Sequence, residues 1–230
     1  MYKKMKIFTI LIFVILSSSV NSFPIPKENK VAFDLIRKNK VIGSIETKFD
    51  QKDDFLIVET NVNIEVKALF LTLYKFIQSS KETWSNGEFI EFIGHTDFED
   101  EREYFINGKD TDDNFTAFGM DGEIVLDKKI LPLNYMNKKI LNEKKIFETE
   151  KGIVREINVQ KLDDEIISIN NNDILSEKFL FDASKNPKDK GPFPQYTLWY
   201  SKENDELIKF RFINWKDKRE VIAQRRNLNY

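Results

Sequence analysis

Between Leu56 and Ala68 the chain alternates with a period of two. Leu56, Val58, Thr60, Val62, Ile64, Val66 and Ala68 fall on one side, and Ile57, Glu59, Asn61, Asn63, Glu65 and Lys67 on the other. Side chains of a β-strand point alternately to opposite faces, so such a run has one mainly apolar and one mainly polar face. At ~3.3 Å per residue the strand spans roughly 40 Å. Strands of that length belong to large, strongly twisted sheets, not to compact sandwiches.

The neighbouring sequence supplies partners for this strand. Leu71–Trp84 continues as a strand and turns through Ser85-Asn86-Gly87 into Glu88–Asp97. Asn-Gly is favoured where both central turn residues need positive φ. Val31–Lys38 and Val41–Asp50 form a hairpin across Asn39-Lys40, with Gly43 marking a bulge or bend. Tyr104–Asn107, Asn114–Phe118 and Glu123–Leu126 are further short strands. Leu133, Met136, Ile140 and Leu141 are spaced for one face of a short helix, with Asn134 as its N-cap. Lys145–Glu148 pairs with Ile153–Val159 over Lys151-Gly152, and Glu165–Ile169 and Glu177–Phe181 add two strands. Asn186–Pro194 carries three prolines and a glycine and reads as a loop. A hairpin, Gln195–Trp215, and a last strand, Arg219–Arg226, complete the chain.

That last hairpin echoes an earlier one. Trp84 corresponds to Trp199, and Glu88-Phe89-Ile90-Glu91-Phe92 to Glu206-Leu207-Ile208-Lys209-Phe210. Ile208, Phe210 and Phe212 share one face of the later strand, while Leu207, Ile213 and Trp215 share the other with Lys209 and Arg211. Such a strand is covered on both sides or lines something. The fold expected is mainly β: one large curved antiparallel sheet, an open or partial barrel, with one short helix.

The N-terminus sets the compartment. Lys3, Lys4 and Lys6 precede the apolar run Ile7–Leu16, and Val20-Asn21-Ser22 resembles a cleavage site. This pattern is that of a secretory signal peptide, and ten apolar residues fall short of the ~20 that span a bilayer as a helix. The expected organisation is a signal peptide at 1–22 and one β-rich domain at 23–230, located in the periplasm. An uncleaved segment would be the only route to a membrane. Cleavage removes three lysines and no acid, taking the formal net charge from -2 to -5. The chain has no cysteine, which excludes disulfides and thiolate chemistry.

Charge is unevenly placed. Residues 97–123 hold ten acids and two bases, and residues 207–230 hold seven bases and two acids. Cross-strand pairing of the two segments is one reading, and a basic rim facing an anionic partner is another. The overall balance gives no footprint for nucleic acid.

Catalytic signals are weak. His95, the only histidine, lies two residues from Asp97, with no nucleophile motif nearby. The acids Asp97, Glu99, Asp100, Glu101 and Glu103 crowd one segment, but spacing alone selects no pair. Asp110-Thr111-Asp112-Asp113-Asn114 begins like a calcium loop. It then places Phe115 where glycine is required and Asp121 where glutamate is required, so a polar turn is the better reading. No enzyme activity, metal or cofactor is expected.

The motifs Phe33-Asp34-Leu35 through Ile42-Gly43, Glu82–Gly87, and Leu198-Trp199-Tyr200 followed by Glu206–Phe210 resemble those of an uncharacterised family of exported proteobacterial β proteins. That family is known only as a domain of unknown function. The family's aromatic pair is usually followed by Asp, where this chain has Ser201. The resemblance implies an open half-barrel similar to the lipoprotein carrier LolA, and it transfers no functional residues. A concave aromatic face built from both hairpins is the expected site. Its expected lining is Trp84, Phe92, Trp199, Tyr200, Phe210 and Phe212, with Phe193 as a lid residue. The expected role is a binding or carrier domain for a hydrophobic or lipid-like ligand, the alternative being a structural protein that meets another envelope protein.

Overall fold

The computed structural model describes residues 23–68, 71–98, 102–214 and 218–226. The expected signal peptide and residues Glu99–Glu101 and Trp215 therefore lie outside the described residues. The first wing of the sheet is β1 (Lys30–Arg37), β2 (Lys40–Lys52), β3 (Phe55–Ala68), β4 (Leu71–Ser85), β5 (Glu88–Phe98), β6 (Arg102–Asp110), β7 (Asn114–Gly119) and β8 (Gly122–Asp127). The second is β9 (Leu131–Pro132), β10 (Lys145–Glu148), β11 (Ile153–Ile169), β12 (Asn172–Ala183), β13 (Tyr196–Ser201), β14 (Leu207–Ile213) and β15 (Glu220–Arg225).

All fifteen strands belong to one sheet, ordered β8-β7-β6-β5-β4-β3-β2-β1-β15-β14-β13-β12-β11-β10-β9. Each wing is a run of strands adjacent in sequence, and the first and last strands pair at the centre, Phe33 opposite Arg225. The two-residue β9 runs parallel to β10, and the other ladders are antiparallel. Strands β8 and β9 end the order, so the sheet is curved and not closed.

Turn chemistry fixes the hairpins. Asn86 and Gly87 have φ of 50° and 80°, the pairing that a tight two-residue hairpin requires. Asn170 and Asn171 do the same for β11 and β12, with φ of 52° and 66°. The first turn falls on Lys38-Asn39, one residue earlier than the sequence reading placed it. Bulges interrupt the ladders β1–β2, β3–β4, β4–β5, β11–β12 and β13–β14. Each extra residue bends its strand and increases the local twist. The β1–β2 bulge follows the Leu35–Gly43 pair.

The curl brings the two far ends together. The Met120 amide, in the β7–β8 turn, donates to the Lys151 carbonyl at 2.7 Å. Gly119 and Gly152 meet at this seam. A Cβ on Gly119 would stand 2.4 Å from the Lys151 carbonyl oxygen, so only glycine permits the approach. Behind the seam Phe147 packs edge-on against Phe92 and Phe115, at 5.5 Å and 5.7 Å between ring centroids.

Two further corrections to the sequence reading fall within the second wing. The expected helix is a single 3-10 turn, Lys138–Asn142, capped by Asn137 rather than Asn134. Asn134 is otherwise engaged: its side-chain amide donates to Glu82. Four apolar residues at helical spacing mark a segment buried inside the curl, where Ile140 is fully enclosed. Its backbone follows the cavity it fills, not a helix. In the second wing, the strand expected at Glu165–Ile169 is the far half of β11.

Candidate ligand cavity

The apolar faces of the long strands turn inward. On β3, Leu56 and Val58 are packed in the core, and Thr60, Val62 and Ile64 line an open cavity of about 590 Å³. On β4 the inward residues are Tyr74, Phe76, Gln78, Ser80 and Glu82. Phe210 and Phe212 of β14, with Tyr196 of β13, form the opposite wall. The segment 133–136 crosses the interior, and Tyr135 packs edge-on against Phe181 and at a tilt against Tyr196 and Phe210, at centroid distances of 5.6, 4.9 and 5.7 Å. Residues 189–194 of the proline-rich loop form the remaining side, with Phe193 on the lining. The lining is mainly apolar and aromatic, and the volume lies within the range typical of small-molecule sites.

The loop is fastened at its start by polar and charged contacts. Asp189 is nearly buried and accepts from Arg155 Nη1 at 2.9 Å, Arg155 Nη2 at 3.2 Å and Lys151 Nζ at 2.5 Å. Those cations hold its carboxyl down at about 2 against the opposing effect of burial. Arg155 Nη2 also donates to Glu148 at 3.2 Å. Three residues earlier, Asn186 donates to Asp121 of the β7–β8 turn at 3.0 Å, and Lys188 pairs with the same carboxylate at 2.7 Å. The loop thus bridges the two wings where they meet.

Glu82 is the least expected member of the lining. It is 2 % exposed. Its Oε1 accepts from Asn134 Nδ2 at 2.8 Å and its Oε2 from Trp84 Nε1 at 3.1 Å. Burial raises its carboxyl to about 7, and those two hydrogen bonds are what opposes the rise. Glu150 is likewise pushed up to about 7, by burial first and then by the neighbouring Glu148. Burial also raises Glu148, though Arg155 and Lys151 counter it. Burial keeps the Tyr135 and Tyr196 hydroxyls protonated.

Of the seven residues expected to line a site, Phe193, Phe210 and Phe212 do line this cavity. Trp84, Phe92, Trp199 and Tyr200 are not on its lining. Trp84 is buried against Phe23 and Phe89, and Phe92 is sealed in the seam. Tyr200 faces inward but is fully buried, its hydroxyl donating to the Tyr135 carbonyl at 2.8 Å. Trp199 points to the opposite face of the sheet and packs with Ile167, Ile169, Ile174 and Ile208. Ile208 is the extra residue of the β13–β14 bulge, so it lies opposite to Phe210 and Phe212 and Leu207 turns inward, contrary to simple alternation. There the tip of the β11–β12 hairpin folds over the outside of the second wing, and Asn170 donates to the Arg226 carbonyl at 2.9 Å. The last hairpin is therefore two-sided because it lines a cavity on one face and carries a covering arm on the other. Glu82 was legible in principle: it keeps the inward phase of Phe76, Gln78 and Ser80. Arg155 and Asp189 carried no such signal, because their meeting depends on the curl.

Other sequence candidates sit elsewhere. His95 bonds Glu103 at 2.7 Å and stacks on Phe105, while Asp97 pairs with Lys75. Asp110–Asn114 is a polar turn in which the Thr111 hydroxyl donates to the Asn114 carbonyl. The acidic and basic segments are not cross-strand neighbours. Arg211 pairs with Glu220, Arg225 with Glu206, and Arg226 with Asp34 and Glu46. Among the described residues no cluster of three metal-ligating side chains occurs, and no helix is long and apolar enough to cross a membrane.

No curated protein matches the chain. A solved structure described as a "putative lipoprotein" from Parabacteroides distasonis aligns over 91 % of this chain and 99 % of its own, at 13 % identity and a TM-score of 0.40. That agreement is too loose to establish a common fold. Phe33 to Lys218, the stretch that holds nearly the whole sheet, matches one family over most of the chain: the protein belongs to the family described as "Domain of unknown function (DUF6134)".

Proposed function

We propose that this protein is a non-enzymatic binding or carrier protein for a hydrophobic, lipid-like ligand and that it works in the periplasm after export. The observation that carries the reading is the mainly apolar cavity of about 590 Å³ inside the curled sheet, bounded by residues 133–136 and by the loop at 189–194. Apolar walls with a few placed polar groups are what such ligands need. The pattern of residues 1–22 supports export. The test is lipid mass spectrometry of the protein purified from its native envelope, together with displacement of N-phenyl-1-naphthylamine. A stoichiometric apolar ligand, with probe uptake reduced by Ile64→Trp, is the expected result. A protein that purifies free of lipid and takes up no probe would end this reading.

A second reading is an interaction protein of the envelope. Ile93, Phe105, Phe118 and Val125 project outward from β5–β8 and are each more than half exposed. Cross-linking in intact cells should trap a partner, and Phe105→Ser should abolish the adduct. An unchanged cross-linking pattern would discard it.

A further inference from the structure

We propose that the cavity selects ligands carrying a protonated amine on an apolar body, and that Glu82 is the residue that recognises the ammonium group. This rests on the apolar-ligand reading above and names the chemistry of the ligand's polar end.

Glu82 lines the cavity from β4, is almost wholly buried, and is surrounded by donors. Both of its oxygens accept N–H groups, from Asn134 and from Trp84. A carboxylate accepts only, whereas a neutral acid must also place a proton. The immediate surroundings are therefore arranged for the ionised form, yet among the described residues no positively charged side chain is a main influence on it. A buried charge with hydrogen bonds but no counter-charge is costly. The open volume beside it is where a counter-charge fits.

The rest of the charged wall carries both signs: Glu148, Glu150 and Asp189 with Arg102, Lys151, Arg155 and Lys190. Glu148, Glu150 and Asp189 share Lys151 and Arg155, and the hydrogen bonds of those two cations go to Asp189, Glu148 and the Ser184 carbonyl. Glu150 receives none of them. The segment 133–136 ties this group to Glu82: Asn134 bonds Glu82, and the Leu133 carbonyl accepts from the Thr149 hydroxyl at 3.2 Å. Arg102 and Lys190 also line the cavity, on β6 and on the proline-rich loop. Neither is among the main influences on Glu82 or Glu150. Tyr135 and Tyr196 remain neutral through the physiological range.

An ammonium group against Glu82 restores the missing charge and expels the proton that burial otherwise retains. An alkylamine resembles a lysine side chain and stays protonated below about pH 10. The pH dependence of binding therefore belongs to the carboxyls. Affinity should rise from pH 6 to pH 8, with proton release on binding.

The experiment is isothermal titration of the full chain with decylamine, decanol and decanoic acid at pH 6 and pH 8, in two buffers of different ionisation enthalpy. At pH 8 decylamine should bind about tenfold or more tightly than decanol, one unit of displaced pKa being worth tenfold. Its advantage should shrink at pH 6. Glu82→Gln should bring amine and alcohol within about twofold of each other. If Glu82→Gln does not fold, the wild-type pH dependence and proton release decide the matter, with Glu150→Gln as the second variant and a smaller loss expected. Decanol or decanoic acid binding as tightly as the amine at pH 8 would overturn the amine assignment and leave the apolar-cavity reading standing. Binding of none of the three would overturn both.

Discussion

Trp84 and Trp199 occupy matching places in two hairpins of similar sequence, and each indole N–H donates to a glutamate at 3.1 Å. Everything beyond that bond differs. Trp84 faces the interior, enclosed by Phe23 and Phe89, and its partner Glu82 is buried with no cation among its main influences in the described residues. Trp199 faces outward under the β11–β12 arm. Its partner Glu165 also bonds Lys178, and Lys178 and Lys209 lie over the indole at 5.4 Å and 4.9 Å. Burial raises Glu82, whereas the Lys178 and Trp199 hydrogen bonds lower Glu165. One local motif thus yields opposite ionisation behaviour, and the difference lies in which face of the sheet carries it.

The largest expected effect is on the inner tryptophan. Trp84→Ala removes a fully buried ring and strips Glu82 of one of its two hydrogen bonds, so urea unfolding should show a loss of about 4 kcal/mol. A loss below that of Trp199→Ala would break the comparison. Next comes the pH dependence. Because the folded-state carboxyl of Glu82 is raised to about 7 from 4.5, its contribution is present below about pH 4.5 and is lost as pH rises through 7. That loss amounts to ~3 kcal/mol at most. Stability measured from pH 4.5 to pH 8 should therefore decline, and Glu82→Gln should lessen the decline, leaving the share of Glu150, whose carboxyl is also raised to about 7. Glu165 has the opposite sign: its lowered carboxyl stabilises at neutral pH, and that contribution disappears as pH falls below its ordinary value.

Trp199→Ala should cost less, about 2 kcal/mol, because the covering hairpin can settle into the space left behind. It should leave probe uptake by the cavity unchanged. Altered uptake would mean that the two faces communicate through the sheet. The smallest effect belongs to Lys209→Ala. It removes one cation from above the Trp199 ring, and chemical denaturation should register a change of about 0.5 kcal/mol.

The strands were readable from local pattern. The run Leu56–Ala68, the Asn86-Gly87 turn and the alternation of β4 specify long antiparallel strands, because side-chain phase and turn φ are properties of neighbouring residues. Phe210 and Phe212 were legible as lining for the same reason, whereas Phe193 was expected as a lid residue from its place in the proline-rich loop before the hairpin. Trp199 was assigned to the wrong side because the two hairpins are alike in residues and differ only in facing. The helical spacing of residues 133–141 describes burial, and the environment that replaced a helix with a 3-10 turn is the interior of the curl.

By itself the sequence determined a β protein with one long, inward-facing apolar surface and turns placed to curl it, since those features depend on residues a few positions apart. Only the tertiary structure decided that β1 and β15 pair at the centre, that Gly119 meets Gly152 at the seam, and that Arg155 reaches Asp189. The same packing gave Glu82 its hydrogen bonds from Asn134 and Trp84 and, among the described residues, no cation as a main influence. These are contacts between distant segments, and their energies depend on what the closed fold excludes: water from a carboxylate, and a β-carbon from the seam.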